Sequence, residues 1–428
     1  MNGKKDIFVA AFALFSLFFG AGNLILPPLL GFNAQSAWGW VALGFALSAV
    51  VIPICGILAH SKLQGTLFDI AKKVSPGFSL VYCLLIYAVS ITLPSPRTAS
   101  VTHEMAIAPN FEVSSILTSS IYFGLVLLFV LNRSKILNLI GKFLTPGILL
   151  ILSAIFITAL AGFEFSFGAS LISSPFSHGI LEGYQTFDAI GAVVVGGVII
   201  ISINLKHPTL NFKEKRRLIG QAGIYAGLGL LMVYTGLILS GALLAGAFDE
   251  SISRTELLNG ISLKTLGSSA TLFLGILVSL ACFTTAVGIV TGAADFIKGR
   301  FQNSQKAYTL TACIGCILGV LMGQFNVGYI IAVALPALMF MYPVTIVLIL
   351  LNLVPEKWSS AVVFRTVVFA TLLFSIPDFL GSVGLGSSMA PITKYIPLST
   401  VHMGWVLPAL LSFTLSNAVL LRSRIEKT

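Results

Sequence analysis

Charged residues are scarce in this chain: only 9% of its 428 residues are Asp, Glu, Lys or Arg. Soluble domains carry about 25% charged residues, so a globule of this length could not cover its surface with the charge present here. Apolar residues make up 57% of the chain. They recur in blocks of roughly 20 residues, the length that crosses the hydrocarbon core of a bilayer. These observations exclude a soluble enzyme and indicate an integral membrane protein.

Cysteine is equally sparse and gives no sign of a disulfide framework. The five cysteines all fall inside apolar blocks, where a free cysteine behaves as a small packing residue: Cys55, Cys83, Cys282, Cys313 and Cys316. The last two form a C-x-x-C, but no further Cys or His stands at metal-ligand spacing. Packing is therefore favoured over a redox or metal role.

Short alternating strands, which closed membrane barrels require, are also missing. Long apolar runs without alternation predict helices, because a helix satisfies its own backbone hydrogen bonds in lipid. The fold class is therefore an all-α integral membrane protein with about twelve spans. We place the spans near 7–31, 37–60, 78–103, 114–132, 143–162, 184–204, 218–246, 269–297, 307–324, 327–351, 361–381 and 404–421.

The basic residues are distributed very unevenly between alternate loops. If the N-terminus is cytoplasmic, only Arg254, Lys264 and Lys394 of the 25 Lys and Arg residues lie in outer loops. Arg97 lies within a span, and the remaining basic residues lie on the inner side. Because inner loops are enriched in Lys and Arg, we predict a multi-pass protein of the cytoplasmic membrane with both termini inside. The net charge of +10 is then a sign of topology and not of nucleic-acid binding.

The predicted spans divide into two groups of five, over residues 1–162 and 183–352. Five is an odd number, so the second group is inserted upside down relative to the first. This arrangement is typical of transporters with inverted repeats, in which paired broken helices meet near the membrane midplane. Residues 353–428 would add two peripheral spans and a cytoplasmic tail.

Span 1 is interrupted by the run Phe19-Gly20-Ala21-Gly22-Asn23. Glycine lets the backbone leave helical geometry, and an asparagine in mid-span is costly unless it lines a cavity or finds a partner. The run predicts an unwound segment whose free backbone groups face a ligand. Close packing of helices through small residues is the alternative interpretation.

Span 6 contains a second polar interruption, Gly183-Tyr184-Gln185-Thr186-Phe187-Asp188. An acidic residue within a span marks a functional site by default. The alternative is that Asp188 caps the start of a helix.

Span 8 carries two adjacent hydroxyls, Thr284 and Thr285, one turn after Ala281. Hydroxyl and carbonyl oxygens are the ligands that a small hard cation prefers. Threonine also bonds harmlessly back to its own helix, so both interpretations stay open.

Span 3 carries Arg97 after two prolines, with Glu104 seven residues later. In an unbroken helix this spacing puts the two side chains on one face, two turns apart. A structural ion pair, a snorkelling arginine and a gate are all compatible with that pattern.

With these segments taken together, the chain resembles the bacterial branched-chain amino acid:cation symporters, the LIVCS family of the amino acid/polyamine/cation superfamily. The likeness covers essentially the whole chain. Four segments carry it: FSLFFGAGNLILPP at 15–28, PRTA at 96–99, GYQTFD at 183–188 and TTAVG at 284–288.

The resemblance implies a LeuT-type five-plus-five inverted repeat and sodium-coupled uptake of leucine, isoleucine and valine. It implies a substrate site at Phe19, Gly20, Ala21, Gly22, Asn23, Tyr184, Gln185, Thr186, Phe187 and Asp188. It implies a sodium site formed by the hydroxyls of Thr284 and Thr285 and the carbonyls of Ser16, Phe19 and Ala281. No resident cofactor is implied, since sodium is the coupling ion, and the partners are an amino acid, a monovalent cation and the bilayer.

Other functions are less well supported by the residues. A proton-coupled or differently selective amino acid carrier has the same architecture, and no residue fixes the ion. A membrane enzyme would need converging catalytic groups, but the five histidines are scattered over separate loops and span ends. A channel would show a pore-lining repeat or a ring of charge, which the sequence lacks.

Overall fold

The computed structural model describes residues 3–132, 136–206 and 210–425. Every regular element within these ranges is helical, as the apolar blocks predict. Parts of two predicted inner loops, residues 133–135 and 207–209, lie outside the described residues. The end of the predicted cytoplasmic tail, residues 426–428, also lies outside them.

Nineteen α-helices make up the described chain. The first nine are α1 Gly3–Phe18, α2 Ala21–Ala34, α3 Trp38–Ala46, α4 Ile52–Leu63, α5 Leu67–Ala71, α6 Pro76–Thr92, α7 Pro94–Thr102, α8 Ser115–Asn132 and α9 Ile136–Gly162. The others are α10 Pro175–Tyr184, α11 Asp188–Lys206, α12 Phe212–Leu243, α13 Arg254–Leu266, α14 Ser268–Arg300, α15 Gln305–Gly323, α16 Val327–Leu353, α17 Ala361–Leu380, α18 Gly386–Thr393 and α19 Val406–Ile425. Two wider, π-helical turns, Leu47–Val51 and His103–Ile107, join α3 to α4 and extend α7.

Helices occupy each of the twelve predicted regions. Eight helical segments of the described chain are long and apolar enough to cross a membrane, and shorter apolar helices lie at Asp6–Ser16, Pro146–Gly162 and Val406–Arg422. The all-helical, multi-span class is thereby confirmed. The number of twelve spans stays a prediction, because it requires the shorter helices to cross as well.

Large apolar side chains cover the outside of the helical bundle. Trp40, Leu150, Met232 and Phe369 are each more than 60% exposed. In water such a surface would be an aggregation hazard, whereas a lipid surface accepts it. The outward-facing side chains therefore match the membrane environment that the composition predicts.

Glycines bring α10 unusually close to α3. A Cβ added to Gly179 would lie 2.3 Å from the carbonyl oxygen of Val41, and one added to Gly44 would lie 2.0 Å from that of Phe176. Small residues permit this approach of two backbones in a membrane protein. The contact fixes the end of α10, and with it the residues that follow, against the centre of the bundle.

A lysine side chain joins the C-terminal ends of α4 and α16. Lys62 at the end of α4 donates to the carbonyl oxygens of Asn352, Leu353 and Val354, at 2.8, 3.4 and 2.7 Å. A cation at the C-terminus of a helix is favourable because the last carbonyls there have no intrahelical partner. This bond anchors α4 to α16 at one end of the bundle.

Candidate functional site

The first break in the site separates α1 from α2. Helix α1 ends at Phe18 and α2 begins at Ala21, so residues 19–20, the first break, lie between helices. The backbone of Gly20 is extended, and its N–H donates to the Phe18 carbonyl at 3.0 Å and weakly to Asn23 Oδ1 at 3.4 Å. The first amides of α2 have no partner within the helix. The first break therefore presents N–H groups at the positive end of a helix dipole.

The second break, residues 185–187, separates α10 from α11. Its last residue, Phe187, has φ of +63°, a left-handed conformation that is uncommon for a bulky side chain and costs about 1 kcal/mol or more. Thr186 stabilises the turn, because its hydroxyl donates to the Gly183 carbonyl at 2.8 Å and accepts from the Asp188 amide at 3.2 Å. The following helix, α11, thus has the carboxylate of Asp188 in its first turn.

Asp188 joins the two breaks. Asn23 Nδ2 donates to Asp188 Oδ2 at 2.7 Å, across 165 residues of sequence. The hydroxyl of Tyr234 on α12 donates to the same oxygen at 3.2 Å and also bonds to Asn23 Nδ2. Asp188 is 4% exposed and Asn23 1% exposed. A carboxylate so deeply buried is tolerated only where other groups satisfy it, and here Asn23 of α2 and Tyr234 of α12 do so.

Arg97 reaches the same place from α7. Its Nη1 donates to the carbonyl oxygen of Gln185 at 2.7 Å, and its guanidinium lies 5.4 Å from the ring centroid of Phe187. It also packs against Gly22, where an added Cβ would lie 2.4 Å from Nη2. Arg97 is thus held between the two breaks.

The paired threonines lie beside the first break. A Cβ added to Gly20 would lie 3.5 Å from Thr285 Oγ1, so α14 and the first break are in contact range at this point. Both hydroxyls donate to the Ala281 carbonyl, Thr284 at 2.9 Å and Thr285 at 3.0 Å. Ser16 occupies the last turn of α1. The structure therefore brings α14 and the first break together at Thr285 and Gly20, while the sodium site stays a prediction.

Glu104 belongs to a different network from Arg97. Its carboxylate accepts from the backbone N–H of Val327 at 2.8 Å and from the Thr255 hydroxyl at 2.6 Å. Among the described residues no ion pair joins Glu104 to Arg97. The wider turn at His103–Ile107 changes the regular seven-residue geometry, and Glu104 caps α16. A gating role for either residue stays a prediction.

The remaining predicted substrate residues lie in or beside the second break. Tyr184 is 1% exposed and stacks on Tyr342 of α16, with ring centroids 4.2 Å apart. The hydroxyl of Tyr342 accepts from the Ala189 amide at 3.1 Å. Gln185 is buried, and its Oε1 has no hydrogen-bond partner in the described part of the chain. An orphaned acceptor in such a place is compatible with a donor on a bound ligand.

Sequence reasoning missed two features of this region. Tyr234 was absent from the predicted site, and the only signal for it was a phenol in the middle of an apolar span. It also missed the ion pair between Arg254 of α13 and Glu182 of α10, at 2.8 Å. That pair ties the helix of a predicted outer loop to the end of α10 that leads into the second break.

The chain is similar over nearly its whole length to known bacterial carriers. A family model described as branched-chain amino acid transport protein matches residues 3–422. The branched-chain amino acid transport system 2 carrier protein of Pseudomonas aeruginosa is 31% identical, over 96% of this chain and 95% of the relative. The permease BraB of Bacillus subtilis is also 31% identical, over 95% and 93%, and the permease BrnQ of Escherichia coli strain K12 is 29% identical, over 96% and 95%.

Solved structures show a similar fold at low sequence identity. The inward-facing conformation of Mhp1 has a TM-score of 0.63 at 11% identity and covers 97% of this chain and 91% of that one. MhsT in complex with L-phenylalanine has a TM-score of 0.57 at 16% identity, covering 96% and 97%. These likenesses confirm the predicted LeuT-type architecture.

The matched family and relatives are transporters and permeases, which agrees with the predicted absence of enzymatic function. With a family match over residues 3–422, this chain belongs to the branched-chain amino acid transport proteins.

Proposed function

We propose that this protein takes up leucine, isoleucine and valine across the bacterial cytoplasmic membrane together with sodium, by alternating access, with both of its termini in the cytoplasm. The names of the relatives, which are branched-chain amino acid carriers and permeases, support the substrate class. The excess of Lys and Arg in alternate loops supports the orientation.

The bond between Asn23 and Asp188 carries the proposal, because it brings two helix breaks of opposite polarity together. An amino acid zwitterion cannot enter hydrocarbon unaided, since desolvating each charge costs several kcal/mol. The free amides at the start of α2 complement a carboxylate, and the Asp188 carboxylate complements an ammonium group. A site of this kind replaces water around both ends of the substrate.

The apolar residues of the breaks supply the side-chain selectivity. Phe19 and Phe187 are buried within the first and second breaks, and Tyr184 lies directly before the second. An apolar pocket distinguishes one methylene group by only about 1 to 3 kcal/mol. Leucine, isoleucine and valine should therefore compete for one site.

Sodium binding between α14 and the first break would couple cation and substrate. Thr284 and Thr285 would contribute hydroxyl oxygens, and Ser16, Phe19 and Ala281 would contribute carbonyl oxygens. The proximity of Gly20 to Thr285 supports this assignment. Coupling requires that both ligands favour the same state, and a cation that holds α14 against the first break would preform the substrate site.

A proton is the second candidate for the coupling ion, because Asp188 places a buried carboxylate directly in the site. A proton bound by Asp188 would neutralise this buried charge and would cross the membrane together with the substrate. An Asp188→Asn variant would then lose the response of uptake to a proton gradient.

Uptake into proteoliposomes tests the function and separates the two ions. Labelled leucine should accumulate when a sodium gradient is imposed at equal pH, and excess isoleucine or valine should inhibit its uptake. Accumulation driven only by a proton gradient would favour the second candidate. Leucine uptake no greater than in protein-free liposomes under both gradients would contradict the transport proposal.

A Thr284→Val/Thr285→Val double variant tests the sodium site, because valine keeps the shape of threonine without its hydroxyl. Leucine uptake by this variant should require much higher sodium concentrations. A matched control is Thr311→Val on α15, whose hydroxyl bonds to the Ala307 carbonyl of its own helix, at 2.8 Å. Wild-type sodium dependence in the double variant would exclude this cation site.

A further inference from the structure

Arg97 is a deeply buried cation whose hydrogen bonding is incomplete. The residue is 3% exposed, and within residues 3–132, 136–206 and 210–425 its only hydrogen bond runs from Nη1 to the Gln185 carbonyl, at 2.7 Å. Its buried Nε has no hydrogen-bond partner among the same described residues. A guanidinium has five N–H donors, so most of its capacity is unused in a place from which water is largely excluded.

The guanidinium also forms no direct ion pair with any described acidic side chain. No ion pair involves Arg97 in the part of the chain that the structure describes. Oδ2 of the neighbouring carboxylate, Asp188, accepts from Asn23 and Tyr234. Burial of an unpaired charge costs several kcal/mol, and the aromatic face of Phe187, 5.4 Å away, offsets only part of that cost.

A second positive group lies beside the guanidinium. Arg97 packs against Gly22, the second residue of α2, where the free amides carry the positive end of the helix dipole. Two positive groups in contact repel each other unless an anion lies between or beside them. An anion beside the first amides of α2 would therefore be stabilised by both groups.

We propose that the guanidinium of Arg97 binds the carboxylate of the transported amino acid, together with the first amides of α2. The inference rests on the proposed function and adds to it the residue that recognises the acid group. Arginine matches a carboxylate with two parallel N–H bonds, so this contact would select α-amino acids over the corresponding amides and amines. The Gln185 carbonyl positions the guanidinium from the second break.

Ligand selectivity distinguishes this role from a gate or a structural brace. Binding of L-leucine and of L-leucinamide, which lacks the carboxylate charge, would be measured by calorimetry on the purified full-length protein in saturating sodium. In Arg97→Gln, leucine affinity should fall about tenfold or more, whereas leucinamide affinity should change much less. Arg97→Lys should retain part of the preference for leucine, because it keeps the charge without the planar fork.

Arg365→Gln is the matched control. Arg365 also donates to a backbone carbonyl, that of Val74 at 2.9 Å, but it lies exposed on α17. Its replacement should leave the ratio of leucine to leucinamide affinity unchanged. If Arg97→Gln weakens both ligands equally, so that the ratio stays at the wild-type value, Arg97 acts only as a brace or gate and the proposal is wrong.

A measurement on the wild-type protein covers the case in which the variants do not fold. Phenylglyoxal modifies arginine, and peptide mass spectrometry identifies which arginines it has reached. Leucine should slow modification of Arg97, and leucinamide at the same occupancy should slow it less. Equal modification of Arg97 with and without bound leucine would overturn the proposal.

These outcomes are separate from failure of the proposed function. If wild-type protein neither binds nor transports leucine, the substrate assignment fails. If it binds leucine and the affinity ratio is unaltered in Arg97→Gln, only the role of Arg97 fails.

Discussion

The two breaks differ in the polarity that they present to the centre of the bundle. The first consists of Phe19 and Gly20 and is followed by the free amides of α2, where Gly22 lies against the guanidinium of Arg97. The second ends in a strained Phe187 and is followed by the carboxylate of Asp188. The first break is therefore followed by positive groups and the second by a negative group.

This difference matches a ligand that carries both charges. A site for an anion would need only the first break, and a site for a cation only the second. Their connection through Asn23 and Asp188 suits a zwitterion whose two charged groups are one carbon apart. Separate substitutions should therefore weaken the positive side of the site, formed by the α2 amides and Arg97, and the negative side, formed by Asp188.

Removal of the negative charge of Asp188 should have the largest effect on leucine affinity. Asp188→Asn keeps an oxygen that can accept from Asn23 and Tyr234, so the fold should persist while the charge is lost. Leucine affinity should fall about thirtyfold or more, as for loss of one partner from a buried charge pair. Calorimetry with L-leucine on the purified variant measures this change.

Asp378→Asn is the matched control for Asp188. Asp378 is also buried, but it lies on α17 and pairs with His402 at 3.3 Å. Its replacement should leave leucine affinity near the wild-type value. Wild-type affinity and uptake in Asp188→Asn at every pH would reduce Asp188 to a helix cap.

Displacement of the Arg97 guanidinium should have a smaller effect on leucine affinity. In Gly22→Ala the new Cβ would overlap Arg97 Nη2, 2.4 Å away, and the end of that flexible side chain must move. Loss of the aligned contact between the Arg97 guanidinium and the leucine carboxylate should weaken leucine binding about tenfold. In Gly20→Ala the nearest atom is 3.5 Å away, an ordinary contact, and the backbone there is not left-handed.

Comparison of the two glycine variants by leucine titration tests whether the position of Arg97 matters. Affinity in Gly20→Ala should stay closer to wild type than affinity in Gly22→Ala. Equal leucine affinity in the two variants would show that leucine binding does not depend on the position of the Arg97 guanidinium.

Much of the site could be located from sequence because its signals are local. Glycines beside a polar residue in an apolar run identify residues 19–23, and an acid five residues after Gly183 identifies the second segment. The structure places a helix break within each segment, at residues 19–20 and 185–187. Scarcity of charge together with long apolar blocks was likewise sufficient for the all-helical membrane class.

Partners distant in sequence could not be predicted in the same way. Asn23 and Tyr234 are separated by 211 residues, and Arg97 and Gln185 by 88. Helical periodicity indicates which residues share a face of one helix, as it did for Arg97 and Glu104. It does not indicate which neighbouring helix packs there, and the two side chains in fact bond to different elements.

Loss of the Tyr234 hydroxyl should have the smallest effect of the three. Tyr234→Phe keeps the ring, which packs edge-on against Phe45 with centroids 5.3 Å apart, and removes one donor to Asp188. A single hydrogen bond contributes about 1 kcal/mol, so leucine affinity should fall about fivefold. Tyr225→Phe on the same helix is the control, since Tyr225 is 47% exposed and stacks on Phe8. Equal leucine affinity in the two variants would show that the Tyr234 hydroxyl of α12 does not help to orient the Asp188 carboxylate, and that Asn23 alone does so.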